Sequence, residues 1–172
     1  MKTLAVDMDG VIADVYAVFF KNHYADFGEL LSAEDVCGKK ESEAFPNCRK
    51  YVFSNGFFRQ APVMAGSEAI LKKLNDKYKL FIVSAAMEFP QSLAEKQSWL
   101  NEHFPFIRWE QMVFCGSKEI INADIMIDDQ FRNLDYFTGH TILFTQPHNK
   151  LAENGRHQRV ESWSDIEKIL LP

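Results

Sequence analysis

Two acidic pairs, a serine and a lysine are the residues of this 172-residue chain best suited to do chemistry: Asp7-Met8-Asp9-Gly10-Val11, Ser84, Gly116-Ser117-Lys118 and Asp128-Asp129. A carboxylate can act as a covalent nucleophile in aspartyl-phosphate chemistry. A second carboxylic acid two residues away can protonate the leaving oxygen and later activate water. A lysine and a divalent cation would neutralise the non-bridging oxygens of a phosphoryl group, while a serine hydroxyl and backbone N–H groups would hold them. Such positioning is most of what phosphoryl transfer demands. Four carboxylates at one point would repel each other without a cation, and an all-oxygen set suits Mg²⁺. Gly10 permits the sharp turn that would bring Asp9 over Asp7. Competing motifs fail. Gly116-Ser117-Lys118 resembles the end of a P-loop, but position 111 is Gln where the first Gly is needed. No GxGxxG, GxSxG or HExxH occurs, and the five His show no metal spacing.

For these stretches to meet, each must stand at the end of a strand in one sheet. Five short apolar runs read as buried strands: Thr3–Val6, Leu80–Val83, Met112–Cys115, Asp124–Ile127 and Thr141–Thr145. Helical patterns alternate with them over Ser67–Lys77 and Gln91–Phe104, and Ser164-Asp165-Ile166-Glu167 has the form of a capping box opening a terminal helix. The alternation predicts an α/β fold with a Rossmann-like parallel sheet of five strands. Ligands bind such sheets outside the carboxyl ends of the strands. More than seventy residues separate the first two strands. With Ser67–Lys77 as the crossover, Asp14–Pro62 is left over as an insertion. Its pattern is helical: Asp14–Phe27 stopped by Gly28, a short Ser32–Val36, and Glu41–Ser54 with Pro46 near its start. Residues 1–13 and 63–172 are therefore expected to form the core and residues 14–62 a small helical cap. Asp14 reads as a plain N-cap.

Lys and Arg total 19 against 24 Asp and Glu, a net charge of −5, which argues against binding a nucleic-acid polymer. No stretch approaches the ~18 apolar residues of a membrane span. Only Leu4, Ala5 and Val6 are apolar before Asp7, too few for the core of a signal peptide. Cys37, Cys48 and Cys115 are odd in number and lack CxxC spacing, as expected of reduced thiols in a cytoplasmic protein. Lys39-Lys40 and Arg156–Arg159 read as solvated basic faces. His148-Asn149 would reach the site only if its loop folded over the sheet edge.

Taken together, Asp7-Met8-Asp9-Gly10-Val11, Ser84, Lys118 and Asp128-Asp129 resemble the four motifs of the haloacid dehalogenase (HAD) superfamily, and their order and spacing resemble its phosphatases. Within it, DMDGVIAD (Asp7–Asp14), GFFRQAPVMAG (Gly56–Gly66), MIDDQ (Met126–Gln130), FTQPHN (Phe144–Asn149) and SWSDIEKIL (Ser162–Leu170) resemble the 5′(3′)-deoxyribonucleotidases. The resemblance implies Asp7 as nucleophile and Asp9 as general acid/base. It implies Ser84, the backbone at Ala85 and Lys118 as the phosphate cradle. Mg²⁺ would be held by Asp7, the Asp9 carbonyl and Asp129, with Asp128 behind them as a partner of Lys118. Two places depart from the animal enzymes. Val15, followed by Tyr16, stands where they have an aromatic residue, and Gly38-Lys39-Lys40 stands where they have a Phe-Trp pair. Lys39 or Lys40 would then meet an anionic group of the substrate.

The expectation is a Mg²⁺-dependent phosphomonoester hydrolase acting on a small molecule, most simply a (deoxy)nucleoside monophosphate. Its rivals are a HAD phosphatase for a sugar phosphate and a non-catalytic module of the same fold. Ten of the chain's 23 aromatic rings lie in Asp14–Pro62. Most should build the core of the cap. Tyr16 and Phe19 are the first expected to face the site and stack on a base.

Overall fold

The structure is a computed structural model that describes all 172 residues. Alternating side chains of the apolar runs go to opposite faces of one sheet. Leu4 and Val6 of β1 (Thr3–Asp7) join one hydrophobic cluster and Ala5 joins another. The remaining strands are β2 (Lys79–Ser84), β3 (Met112–Phe114), β4 (Ile125–Asp128), β5 (His140–Phe144) and β6 (Gln158–Val160). Their order is β3-β2-β1-β4-β5-β6, and every neighbouring pair is parallel. The sheet thus has six strands, not five. β6 escapes the sequence pattern because it is three residues long, lies at an edge and begins with Gln158 and Arg159, so no apolar run marks it. Strand order reverses between β1 and β4, which opens a crevice at their carboxyl ends.

The two faces are unequally covered. One packs into a cluster of 33 buried residues to which α4 (Ser67–Lys77), α5 (Ser92–His103) and α7 (Trp163–Leu170) contribute; the other packs into a cluster of seven with α6 (Phe131–Leu134). The helix α7 opens two residues earlier than its apparent capping box. Ser162 is the N-cap and accepts from Asp165 N–H, while the Asp165 carboxylate accepts from the Ser162 hydroxyl.

Between β1 and α4 stand α1 (Val15–Phe27), α2 (Glu41–Ala44) and α3 (Cys48–Val52). Asp14 caps α1 by accepting from Ala17 N–H at 3.1 Å, and Gly28 ends it in the left-handed region at φ +67°. The helix expected over Glu41–Ser54 is two short helices. Phe45 turns extended before Pro46, which has no N–H to continue the ladder. Residues 33–38, expected in part as a helix, form turns, with Asp35 bonding Ser32 N–H and Oγ instead. No helix is long and apolar enough to cross a membrane.

Buried residues of this segment, among them Phe19, Phe45, Phe57 and Phe58, belong to the same cluster as Leu4, Ile82 and Ile127 of the sheet. Among the hydrogen bonds that fasten it down are Trp99 Nε1 to Ala61 O, Gln91 Nε2 to Val52 O, Gly56 N–H to the Glu95 carboxylate, and Gly38 N–H to Pro147 O. A shared core predicts one cooperative unfolding transition. Phe45 is fully buried and stacks on Phe19 at 5.0 Å. Phe45→Ala is expected to cost about 3–5 kcal/mol in urea unfolding while keeping a single transition. A separate early transition for the segment would contradict the shared core.

Candidate active site

The turn after β1 is fixed from several sides. Val11, Ile12 and Ala13 N–H groups converge on Met8 O at 2.9–3.3 Å. Gly10 lies at φ +80°, and a Cβ there would stand 2.6 Å from Asp129 Oδ2. Backbone conformation and space therefore both require glycine. Gln146 Nε2 donates to Gly10 O at 2.5 Å and Trp163 Nε1 to Val11 O at 2.8 Å. Asp7 and Asp9 so leave the sheet on a rigid loop.

Lys118 enters from a 3₁₀ turn, Lys118–Ile120, capped by Ser117, whose Oγ accepts from Glu119 N–H at 3.3 Å. Its Nζ donates to Asp7 Oδ1 at 2.5 Å and Asp128 Oδ2 at 2.6 Å. Asp128, at the end of β4, is fully buried. It also accepts from Gln130 N–H at 2.9 Å and from Asn133 Nδ2, so both of its oxygens are engaged by the protein. One carboxylate oxygen each from Asp7, Asp128 and Asp129 lie within 4.8 Å of one another. Burial, opposed by Lys118 and reinforced by Asp128 and Asp9, pushes Asp7 up to about 7. Burial and the Asp7 and Asp128 charges push Asp129 well above its ordinary value. Burial works against the charge of Lys118, but Asp128 and Asp7 outweigh it and raise its pKa. The cluster is short of positive charge, and its all-oxygen donors fit a hard divalent cation.

A second lysine faces the other member of the acidic pair. Lys96 of α5 is 1% exposed; its Nζ pairs with Asp9 Oδ2 and donates to Ser84 Oγ at 2.9 Å. The same ammonium lies 4.4 Å from the Phe58 ring centroid. Lys96 was not singled out from the sequence. The available signal was a lone charge four residues before Leu100 on the buried face of an amphipathic helix.

The loop after β5 closes the opposite side. Asn149 Nδ2 donates to Asp129 O at 2.8 Å, and His148 Nε2 lies 3.0 Å from the same carbonyl. His148 Nδ1 lies 3.2 Å from Glu41 Oε1 and 3.1 Å from the Tyr16 hydroxyl, which itself donates to Glu41 Oε1 at 2.9 Å. A cavity of about 680 Å³ lies between these groups. Asp7, Asp9, Ser84, Lys118 and Asp129 line it together with Phe19, Phe57, Phe58 and Phe89.

A family model described as 5′ nucleotidase, deoxy (pyrimidine), cytosolic type C protein (NT5C) matches residues 1–172. The chain belongs to this family. A 5′(3′)-deoxyribonucleotidase of Bacillus subtilis (strain 168) and one of Bacillus phage SPbeta are each 40% identical to it over 99% of both chains. Among solved structures, YfnB of Bacillus subtilis, determined bound to magnesium, aligns over 99% of both chains with a TM-score of 0.63 at 13% identity. A HAD-superfamily hydrolase from Ehrlichia chaffeensis aligns over 99% of this chain and 98% of its own with a TM-score of 0.61 at 12% identity. The chain is thus a hydrolase of the phosphatase class on a HAD fold.

In this nucleotidase-family chain the structure brings Asp7, Asp9, Ser84, Ala85, Lys118, Asp129, Phe19 and Lys40 to one cavity, with Asp128 directly behind Lys118. Two expected pocket residues lie elsewhere. Tyr16 turns its hydroxyl to Glu41 and His148 and is absent from the cavity wall, because a buried phenol needs partners. Lys39 donates to Asp35 O on the surface. The basic stretch Arg156–Arg159 is solvated in part, with Arg156 exposed and Arg159 half-buried, and its guanidinium groups also tie down backbone: Arg156 donates to the carbonyls of Leu134, Asp135 and Phe137, and Arg159 to those of Asn149 and Ala152. Lining residues missed by sequence reading include Lys96, Glu41 and Phe89.

The raised Asp7 has a consequence for stability. Between its ordinary 3.8 and about 7, the folded chain holds a proton that the unfolded chain releases, so this contribution falls as pH rises through that window. Asp7→Asn removes the ionisation. In chelator, its Tm is expected to exceed that of the unchanged protein by a margin that widens from pH 5.5 to 8.5. A margin independent of pH would refute the raised pKa.

Proposed function

We propose that the chain is a Mg²⁺-dependent phosphomonoester hydrolase working through a phospho-aspartate, and specifically a 5′(3′)-deoxyribonucleotidase. One observation carries the reading: four carboxylates, Asp7, Asp9, Asp128 and Asp129, meet only two ammonium groups, Lys96 and Lys118, at the mouth of an aromatic-walled cavity. The carboxyl groups outnumber the ammonium groups, and a divalent cation would offset the excess. Both oxygens of Asp128 are engaged by the protein, which leaves the Asp7 and Asp129 carboxylates of the cluster to hold Mg²⁺; the family resemblance adds the Asp9 carbonyl. Bound there, Mg²⁺ supplies charge neutralisation for the phosphoryl oxygens.

In this reading Asp7 attacks phosphorus and the ester P–O bond breaks. Asp9 gives its proton to the departing alkoxide, producing the alcohol. Asp9, now a carboxylate, takes a proton from water as that water attacks phosphorus, and the P–O bond to Asp7 breaks to release phosphate. Lys118 steadies the Asp7 carboxylate, and Ser84 with the backbone at Ala85 holds the phosphoryl oxygens. Lys96 acts as a positioning residue for Asp9. Residues 14–62 act as the cap, and of the rings along the cavity the half-buried Phe89 is the one that offers a face to a base, with Phe19, Phe57 and Phe58 packed behind the wall. Cys37, Cys48 and Cys115 are unpaired, in keeping with a cytoplasmic enzyme.

The test is phosphate release with Mg²⁺ across deoxynucleoside monophosphates, sugar phosphates and an aryl phosphate. The expected order places dUMP or dTMP first, with activity lost in EDTA and restored by Mg²⁺. Sugar phosphates turning over faster would overturn the nucleotidase assignment. Asp7→Asn is expected to lose roughly a thousandfold or more, and Asp9→Asn about 10²–10⁴-fold; full turnover by Asp7→Asn would sink the nucleophile.

Lys96→Met keeps the length and removes the ammonium. Leaving the partly exposed Asp9 and the buried Ser84 hydroxyl without that donor, it should destabilise by about 1–3 kcal/mol and depress kcat more than it raises KM. An unchanged kcat would remove Lys96 from the mechanism.

A further inference from the structure

Glu41 is the one carboxylate of the cavity wall near the metal cluster that the mechanism above does not use. It belongs to α2, in the cap segment, and no single catalytic step requires it. It is nevertheless held with care. The Tyr16 hydroxyl donates to Oε1 at 2.9 Å, and His148 Nδ1 lies 3.2 Å from the same oxygen. Both partners therefore fall on Oε1, and Oε2 carries neither bond. Burial works against its charge, but His148 and Tyr16 outweigh it and keep its pKa below the ordinary carboxylate value. The side chain is 29% exposed, and Glu41 lines the cavity.

Its distance from the phosphate end is set by one ring. His148 Nδ1 faces Glu41 while His148 Nε2 lies 3.6 Å from Asp129 Oδ2. Glu41 thus stands one imidazole width from a proposed metal ligand, with the aromatic walls also open to the cavity. In a nucleoside monophosphate the group between phosphate and base is the sugar. A sugar presents hydroxyl donors, and an anchored carboxylate with a free oxygen is an acceptor for them.

We propose that Glu41 is a specificity-determining residue that accepts a hydrogen bond from a sugar hydroxyl of the substrate, the 3′-hydroxyl of a 5′-deoxynucleotide. This rests on the nucleotidase reading and adds the group of the substrate that the cap reads. A hydrogen bond to a charged acceptor corresponds to roughly a tenfold to hundredfold preference for a substrate that makes it over one that leaves the carboxylate unpaired.

The test compares dTMP with 3′-deoxythymidine 5′-monophosphate, which differ only in that hydroxyl. The unchanged enzyme is expected to favour dTMP in kcat/KM by roughly tenfold to a hundredfold. Glu41→Ala should bring the ratio close to one, chiefly by weakening dTMP. A role confined to propping His148 would slow both substrates equally and leave the ratio intact, and that result overturns the proposal. If Glu41→Ala does not fold, the isosteric Glu41→Gln replaces a charge-assisted bond by a neutral one and should lower the ratio without abolishing it; an unlowered ratio overturns the proposal too. Failure of the nucleotidase reading looks different: the unchanged enzyme would hydrolyse neither nucleotide while still releasing phosphate from an aryl or sugar phosphate.

Discussion

A buried ammonium clamped between two buried carboxylates is the interaction around which this molecule is arranged. Asp128 is as inaccessible as the core leucines, and Lys118 and Asp7 are buried with it. Burying three charges is tolerable only when each is paired and its remaining hydrogen-bonding capacity is met. That requirement explains local structure that would otherwise look arbitrary. The chain after β4 turns at once, so that Gln130 N–H reaches Asp128 Oδ1, and α6 begins there because Asn133 must reach both oxygens. The 3₁₀ turn at Lys118 brings its side chain under the switch point between β1 and β4. Asp129, next in sequence to the best-satisfied carboxylate of the site, has its main-chain oxygen bound by the following loop, while its carboxylate lines the cavity.

The second buried lysine ties the chemistry to the cap through one helix. Along α5 and the residue before it, Gln91, Glu95 and Trp99 recur every four positions and so share a face. All three bond backbone of the segment 52–61: Val52 O, Gly56 and Arg59 N–H, and Ala61 O. Lys96 projects from the adjoining face to Asp9 and Ser84, with Phe58 against its ammonium. The position of the cap's aromatic wall and the position of Asp9 are therefore set by the same rigid rod. A cap seated this way is part of the site's geometry, in keeping with one hydrophobic cluster running from Phe57 to Leu4.

What the sequence revealed and what it hid follow from how each residue is partnered. The two acidic pairs, Ser84 and Lys118 were legible because each ends or follows an apolar run, and a polar residue at that place in a parallel sheet has few structural uses. Lys96 was not, because a lysine in a helix is ordinary until its face is known. The cap's aromatic excess was legible as a number, but its division was not. Tyr16 and Phe19 lie one helical turn apart, yet the hydroxyl of one needs Glu41 and His148, while the bare ring of the other can line the cavity. Helix breaks at Phe45-Pro46 and the turns over 33–38 were hidden for a different reason: each is decided by one proline or one Asx-type side-chain bond, which periodicity does not register.

The strand that the pattern missed turns out to support the site. β6 is too short and polar to advertise itself, but it carries Arg159 beside β5. The Arg159 guanidinium gathers Asn149 O, Ala152 O, Thr145 Oγ1 and Asn149 Oδ1, fixing the loop between β5 and β6. That loop holds Asp129 O through Asn149 and His148, and Gly10 O through Gln146. It also accepts Gly38 N–H from the cap on Pro147 O, where a side chain at Gly38 would strike Leu151. A basic edge strand that reads as a solvated face thus anchors the one loop touching β1, β4 and the cap together. Removing it would leave the acidic pairs at their strand ends but would free the turn after β1, the Asp129 carbonyl and the segment 14–62 from one another.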